Sequence, residues 1–212
     1  MQNADARQRI LNSAKAIFLE QGYKKTTIRQ IVRRSGLLIG SIYHFFENKE
    51  DIFQQLFFDI FDRCDALICR RFGASADPPT RLALMCATML HAADLDENIC
   101  ELYGELLSLH SSAEHHGQHL ADWLSANMTR ELAGQNESEV FARALAVGGV
   151  LRGLLANRYY RHRLPVSDLT RVMAESTFAI LGIAQGQAAE ASERVYSMQD
   201  ELIAIAKSLI AY

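Results

Sequence analysis

Apolar residues recur every three or four positions along most of the chain, and the recurrence predicts helices almost throughout. Ile10, Leu11, Ala14, Ile17 and Phe18 mark a first helix over about 5–21, with Gly22 placed to end it. Thr26 or Thr27 can cap a second, about 27–34, whose inner face is Ile28, Ile31 and Val32. Gly36 breaks the chain in a very short turn, and a third helix of about 38–45 follows. Asn48 can cap a fourth that runs to about Phe72, with Ile52, Phe53, Leu56, Phe57, Ile60 and Phe61 on one side.

Pro78-Pro79 opens the next helix, about 79–93, and others are predicted over about 97–111 and 115–133. The helix of about 137–162 carries only Arg143 and Arg152 between Val140 and Asn157, so nearly all of its circumference demands cover. Along it runs a stripe of small residues, Ala146, Gly149, Gly153 and Ala156, which permits close helix approach. A helix of about 167–185 follows Pro165 and holds Phe178 and Leu181 in an uncharged stretch. The last, about 190–211, spaces Val195, Met198, Leu202, Ile205 and Leu209 by threes and fours. The fold class is therefore all-α: a three-helix N-terminal head, residues 1–48, and a larger helical body, residues 49–212.

Composition agrees with that class. Apolar residues make up 49% of the 212 positions, enough for a sizeable core, and only 12 Gly and 3 Pro interrupt them. The N-terminal residues Met1 to Arg9 are polar, unlike a signal peptide, and no apolar run approaches the roughly 20 residues that span a bilayer. The expectation is a cytoplasmic protein that does not enter membranes. Cys64, Cys69, Cys86 and Cys100 form no CxxC and read as buried free thiols.

The formal charge of −3 conceals an asymmetry. Residues 1–50 carry nine Lys and Arg against four Asp and Glu; the remainder carries thirteen against twenty-one. A small basic head on an acidic body points to a polyanion as the head's partner. Two short helices joined by a glycine turn on such a head form a helix-turn-helix pattern. Ile42, Phe45 and Phe46 can anchor the third helix while Tyr43 faces outward within reach of a phosphate. Lys49, in the positive first turn of the fourth helix, suits a phosphate docked on that helix end.

The run TTIRQIVRRSGLLIGSIYHFFENKEDIF resembles the DNA-binding signature of the tetracycline-repressor (TetR) family of bacterial regulators. The likeness covers roughly residues 8–55, with Gly22-Tyr23, Thr26-Thr27, Ile31, Gly36, Gly40, Tyr43, Phe46, Lys49 and Glu50 in the family's order. It implies a ligand-responsive homodimer on a palindromic double-stranded operator, most simply a repressor released by a small-molecule effector. It also implies dimerisation through the helices of about 137–162 and 167–185, with the last helix an addition to the common plan. The DNA-contacting set is then Thr26, Thr27, Arg29, Ile39, Gly40, Ser41, Tyr43, His44 and Lys49. Leu38 and Ile39 are apolar where the family usually has a polar cap and a polar base reader. Ile39 is thus expected to meet a thymine methyl, with Ser41 and His44 as polar readers.

In the body, Phe57, Phe61, Met89, Tyr103, Leu107, Trp123 and Tyr159 are candidates for an effector pocket. Ala146, Gly149, Gly153, Ala156, Phe178 and Leu181 are candidates for the dimer interface. His115 and His119 stand at i,i+4 with His110, His116, Glu114 and Asp122 nearby, a spacing that can hold zinc or nickel. A solvated, histidine-rich helix start has the same appearance, and the expectation is no metal and no cofactor. No GxSxG, HExxH or phosphate loop is present, so the expectation is not an enzyme. The alternatives are a helical enzyme or binding protein with an incidental basic head, and a metal-responsive regulator.

Overall fold

The computed structural model describes residues 2–108 and 110–211; the side chains of residues 2, 3, 74, 107, 108 and 110–113 are not described. Every regular element among the described residues is helical. In chain order they are α1 Gln2–Gln21, α2 Ile28–Ser35, α3 Ile39–Phe45, α4 Lys49–Phe72, α5 Pro78–Leu95, α6 Glu97–Ser108, α7 His110–Asn127, α8 Glu137–Leu155, α9 Val166–Leu181, α10 Gln185–Ser197 and α11 Gln199–Ile210. No described helix is long and apolar enough to cross a membrane. All four cysteines are free.

Helices α1 to α3 close on one small core. Ile10, Leu11, Ala14 and Phe18 of α1 meet Ile31 of α2 and Ile42 of α3, all with almost no exposure. Phe53 of α4 completes it, edge-on to Phe18 at 5.1 Å and stacked on Tyr23 at 4.4 Å between ring centroids. α2 starts on a capping box: the Thr27 hydroxyl accepts from Gln30 N while the Gln30 side chain accepts from Thr27 N. It stops at Gly36, whose φ of 67° lies in the left-handed region that only glycine enters cheaply. The turn into α3 is therefore written locally.

α4 belongs to both parts of the molecule. Its first turns pack on α1, and its later turns pack on α5, α7 and α11. Near its C-terminal end, Asp65 accepts from Arg81 Nε at 3.0 Å and from Arg81 Nη2 on both oxygens. Trp123 Nε1 donates to the same carboxylate at 3.0 Å. One half-buried carboxylate thus joins α4 to α5 and α7. α5 runs through the middle of the body, buried from Leu82 to Ala92 except for the ends of a few side chains, and is flanked by α4, α9 and α11.

Three predicted boundaries change. The helix expected over 137–162 ends at Leu155 and passes through a 3-10 turn, Ala156–Tyr159. The helix expected over 115–133 starts earlier and stops at Asn127. The final helix divides at Met198, where α10 gives way to α11 with no side-chain cap between them. The spacing of Val195 to Leu209 carried no sign of that break, because both segments keep the same buried side toward the body.

Asp65→Ala should destabilise the protein by on the order of 3 kcal/mol, because it strands a half-buried guanidinium and an indole N–H. Asp65→Asn, which keeps one acceptor, should cost less. Denaturant unfolding checks both, and equal stability of parent and Asp65→Ala would deny the carboxylate its joining role.

Candidate DNA interface and effector cavity

The head presents α3 outward. Ile42 is fully buried, which turns Ile39, Gly40, Tyr43 and His44 to solvent, with Ile39 48% and Tyr43 55% exposed. Leu38, ahead of the helix, is 80% exposed and makes no side-chain cap. A side chain at Gly40 would meet nothing within 4 Å, so this surface is open. Ser41 is half-buried, Arg29 and Thr27 are exposed, and Thr27 is engaged in its capping box.

Two members of the expected DNA-contacting set stand elsewhere. Thr26 is buried, and its hydroxyl donates to Gly22 O at 2.8 Å, which ties the α1–α2 loop and removes the side chain from the surface. Lys49 turns back toward the same loop. Its ammonium donates to Tyr23 O at 2.8 Å and Thr26 O at 2.9 Å, and lies 4.1 Å from the centre of the Tyr23 ring. Burial holds its pKa below the ordinary lysine value. The first turn of α4 meanwhile carries Glu50 and Asp51, and Asn48 accepts from Asp51 N, so the helix start has its own negative groups. The lysine therefore serves as a brace between α4 and the loop before α2, where the sequence suggested a phosphate dock on the helix end.

The body holds a cavity of about 290 Å³ between α4, α5, α7 and α8. Phe57 and Phe61 come from α4, Met85, Cys86 and Met89 from α5, His116, His119 and Leu120 from α7, and Ala144, Val147, Leu151 and Arg152 from α8. Of the candidate pocket residues, Phe57, Phe61 and Met89 line it. Tyr103 instead borders a smaller space between α1, α4 and α6. Trp123 is occupied with Asp65, and Tyr159 is 66% exposed beyond the end of α8. The side chain of Leu107 lies outside the described residues.

The histidines of α7 separate by face. His115 points to solvent. His119 stacks on Phe58 with 4.3 Å between centroids, and its Nε2 lies 3.2 Å from Asp62 Oδ1. His116 is only 8% exposed, sits edge-on to Phe57 at 4.4 Å, and has no hydrogen-bond partner at either ring nitrogen among the described residues. Burial, reinforced by His119 and His115, pushes its pKa down to about 4. Among the described residues no three His, Cys, Asp or Glu side chains gather as a metal site would require; the side chain of His110 lies outside them. The importance of His116 had a sequence signal: it shares a helix face with Leu120, Trp123 and Leu124, which are all buried.

α8 has two faces. Ala144, Val147 and Leu151 point inward, whereas Ala146, Gly149 and Gly153 lie on the outside, where a Cβ added to either glycine meets nothing within 4 Å. Ala156 is half-buried in the turn that follows. Phe178 and Leu181 are 1% and 2% exposed within the one chain, so they are core of the protomer, and their candidacy for the dimer interface is withdrawn. Their uncharged surroundings reflect burial against this chain's own helices.

Residues 10–56 match the family described as bacterial regulatory proteins, tetR family. Over 61 residues the chain is 38% identical to the HTH-type transcriptional repressor KstR2 of Mycolicibacterium smegmatis, covering 29% of this chain and 30% of that one. Matches to such curated relatives span half or less of the relatives' length. The fold is similar along most of the chain to that of RolR, solved in complex with resorcinol, at TM-score 0.62, 18% identity and coverage of 92% and 95%. It is also similar to that of a TetR-family regulator from Streptomyces coelicolor A3, at TM-score 0.55, 21% identity and coverage of 84% and 93%. The head thus matches the tetR-family model, and the chain as a whole shares the fold of these solved regulators.

Burying His116 in its neutral form has a consequence for stability. Its folded pKa of about 4 lies below its ordinary 6.5, so the unfolded chain takes up the proton first. Stability should therefore fall as pH drops from 6.5 toward 4. His116→Phe should lose that component and show a smaller decline in melting temperature between pH 7 and pH 5. An equal decline in parent and variant would contradict it.

Proposed function

We propose, from the tetR-family head and the cavity that adjoins its connecting helix, that the protein is a dimeric DNA-binding transcriptional regulator whose affinity for its operator is set by a small molecule in the body. The observation that carries the reading is the exposed face of α3. Its base is buried at Ile42 while Ile39, Gly40, Tyr43 and His44 stand clear on a basic head. A helix so presented enters a major groove, with Ile39 toward base edges and Arg29, Thr27 and Tyr43 toward phosphates. The repressor named among its relatives favours repression relieved by the effector. RolR, with resorcinol bound to a similar fold, favours an organic effector over a metal. The head, residues 1–48, reads the DNA and the body, residues 49–212, binds the effector and the second subunit; both act in the cytoplasm, and neither is catalytic.

The pairing rests on α8. Its outward row of Ala146, Gly149 and Gly153, beside the exposed Leu145 and Arg152, is small and itself uncharged. A two-fold partner laid against it buries that surface and sets two α3 helices on successive turns of DNA, about 34–36 Å apart. Effector binding works by favouring a state in which that spacing is wrong, and it can shift the balance only by its difference in affinity for the two states.

Fluorescence anisotropy with duplex DNA from upstream of the protein's own coding sequence tests the reading. Affinity should fall steeply with salt. Arg29→Ala should weaken every sequence and lower the log–log salt slope by about 1. Ile39→Ala should instead change the preference at one base position, by roughly 1–3 kcal/mol. Binding that ignores salt would defeat the proposal.

Sedimentation tests the pairing. The parent should be a dimer at micromolar concentration. Gly153→Leu should hold two α8 helices apart and give a monomer of unchanged helical content, because a Cβ at that outward position meets nothing within 4 Å in its own chain. A monomeric parent would remove the dimer.

A further inference from the structure

One side chain in the cavity wall is at odds with its surroundings. Around it the lining is apolar, with Phe57, Phe61, Met85, Leu120 and Val147 contributing no polar side-chain atom. His116 is buried to nine-tenths among them, with both ring nitrogens shielded from solvent and without partners among the described residues. Buried polar groups are nearly always paired, and an unpaired one calls for a missing partner or a function. No described residue of the helix supplies the partner.

Resting on the reading that the cavity takes an effector, we propose that the effector is an uncharged, mostly apolar molecule bearing a hydroxyl group, and that His116 recognises the hydroxyl. Three features of the site select this class. A cavity of 150 Å³ accommodates benzene, so one of about 290 Å³ suits a molecule of about a dozen carbon atoms. The imidazole, kept neutral by burial, offers one N–H donor and one bare nitrogen acceptor, and a hydroxyl matches either. A carboxylate can accept from the N–H but cannot serve the bare nitrogen, and its charge would be stripped of water by the apolar wall. Arg152, which lines the cavity, is exposed, so a carboxylate drawn to it would lie at the rim rather than within.

The same contact gives the effector a path to the head. The imidazole stands edge-on to Phe57 at 4.4 Å and to Phe58 at 5.5 Å, both on α4. To present a nitrogen to the cavity the ring turns about its second side-chain torsion, which is soft for an imidazole. That turn changes its packing against α4, the helix whose first residue, Lys49, holds the loop before α2. The hydroxyl thus distinguishes an effector that merely fills the cavity from one that rearranges its wall.

Calorimetry on the full chain at pH 7.5, without DNA, tests this with three probes of one shape: biphenyl, 4-hydroxybiphenyl and biphenyl-4-carboxylate. The parent should bind 4-hydroxybiphenyl roughly tenfold more tightly than biphenyl, the worth of one buried hydrogen bond. His116→Phe should keep its affinity for biphenyl and lose the preference, while His116→Asn, with a donor and an acceptor of its own, should retain part of it. Circular dichroism confirms that each variant is folded. Equal binding of biphenyl and its hydroxyl form by the parent, or a preference that survives in His116→Phe, overturns the role of His116 and leaves the cavity reading standing. Tightest binding of the carboxylate overturns the assigned class in favour of an anion. Binding of none of the three overturns the cavity reading and this inference together, while the salt-dependent DNA measurement decides the regulator reading separately.

Discussion

The continuity of α4 is the constraint on which the rest of the structure depends. It begins under the head and ends in the body without a break, so neither part can move independently of it. Two polar ties fix its ends. At the start, the Lys49 ammonium holds the carbonyls of Tyr23 and Thr26, in the loop that leads into the helix-turn-helix. Sixteen residues on, roughly 24 Å along the helix at 1.5 Å per residue, Asp65 gathers Arg81 and Trp123. Between the ties lie Phe57 and Phe61, in the cavity wall. A change at the wall acts on a rod held at both ends, and a rod so held passes displacement on as rotation of whatever it carries.

Charge placement supports this division of labour. The body contributes the excess of acid and the head the excess of base, yet an ion pair crosses between them. Lys24 in the α1–α2 loop meets Glu105 of α6 at 3.0 Å. That pair is mostly solvated at the lysine, so it adds little to stability. Its place is informative all the same: α6 supports the underside of the head just where Lys49 supports it from α4. The head is thereby cradled by one continuous helix and one short one, on the side away from its exposed α3 surface.

The head was legible in the sequence because its signals are local. The Thr27 cap, the Gly36 turn, the buried Ile31 and Ile42 and the exposed Tyr43 all follow from spacing within twenty residues. The roles of Thr26 and Lys49 in tying the α1–α2 loop were not legible, because their partners are backbone carbonyls, which no side-chain pattern reveals. In the body most helix starts were readable, as at Asn48 and Pro78-Pro79, but the division of the last helix at Met198 was not. Which residues meet across helices was not legible either. An aromatic such as Trp123 can serve a cavity or a carboxylate equally well by periodicity, and its choice of Asp65, 58 positions earlier, is settled by tertiary packing. Phe178 and Leu181 show the same limit from the other side: an uncharged stretch signals burial but does not say against which chain.

α8 brings the proposed functions into one element. Its inner residues Ala144, Val147 and Leu151 form part of the cavity wall, and its outer residues Ala146 and Gly153 form the proposed partner face. Gly149 is on the outer face and still borders the cavity. At that level no side chain separates the effector from the second subunit, so the helix backbone itself is the partition. Opposite it, Gly117 of α7 lets α7 and α8 approach so closely that even a methyl group there would crowd Leu145 and Phe141. A molecule that pushes the wall outward therefore meets a tightly packed α7 on one side and the partner on the other. In the proposed dimer the compliant direction is the one left, along α4 toward the head. That asymmetry, more than any single contact, gives a small ligand in an apolar cavity a reason to alter the spacing of two distant recognition helices.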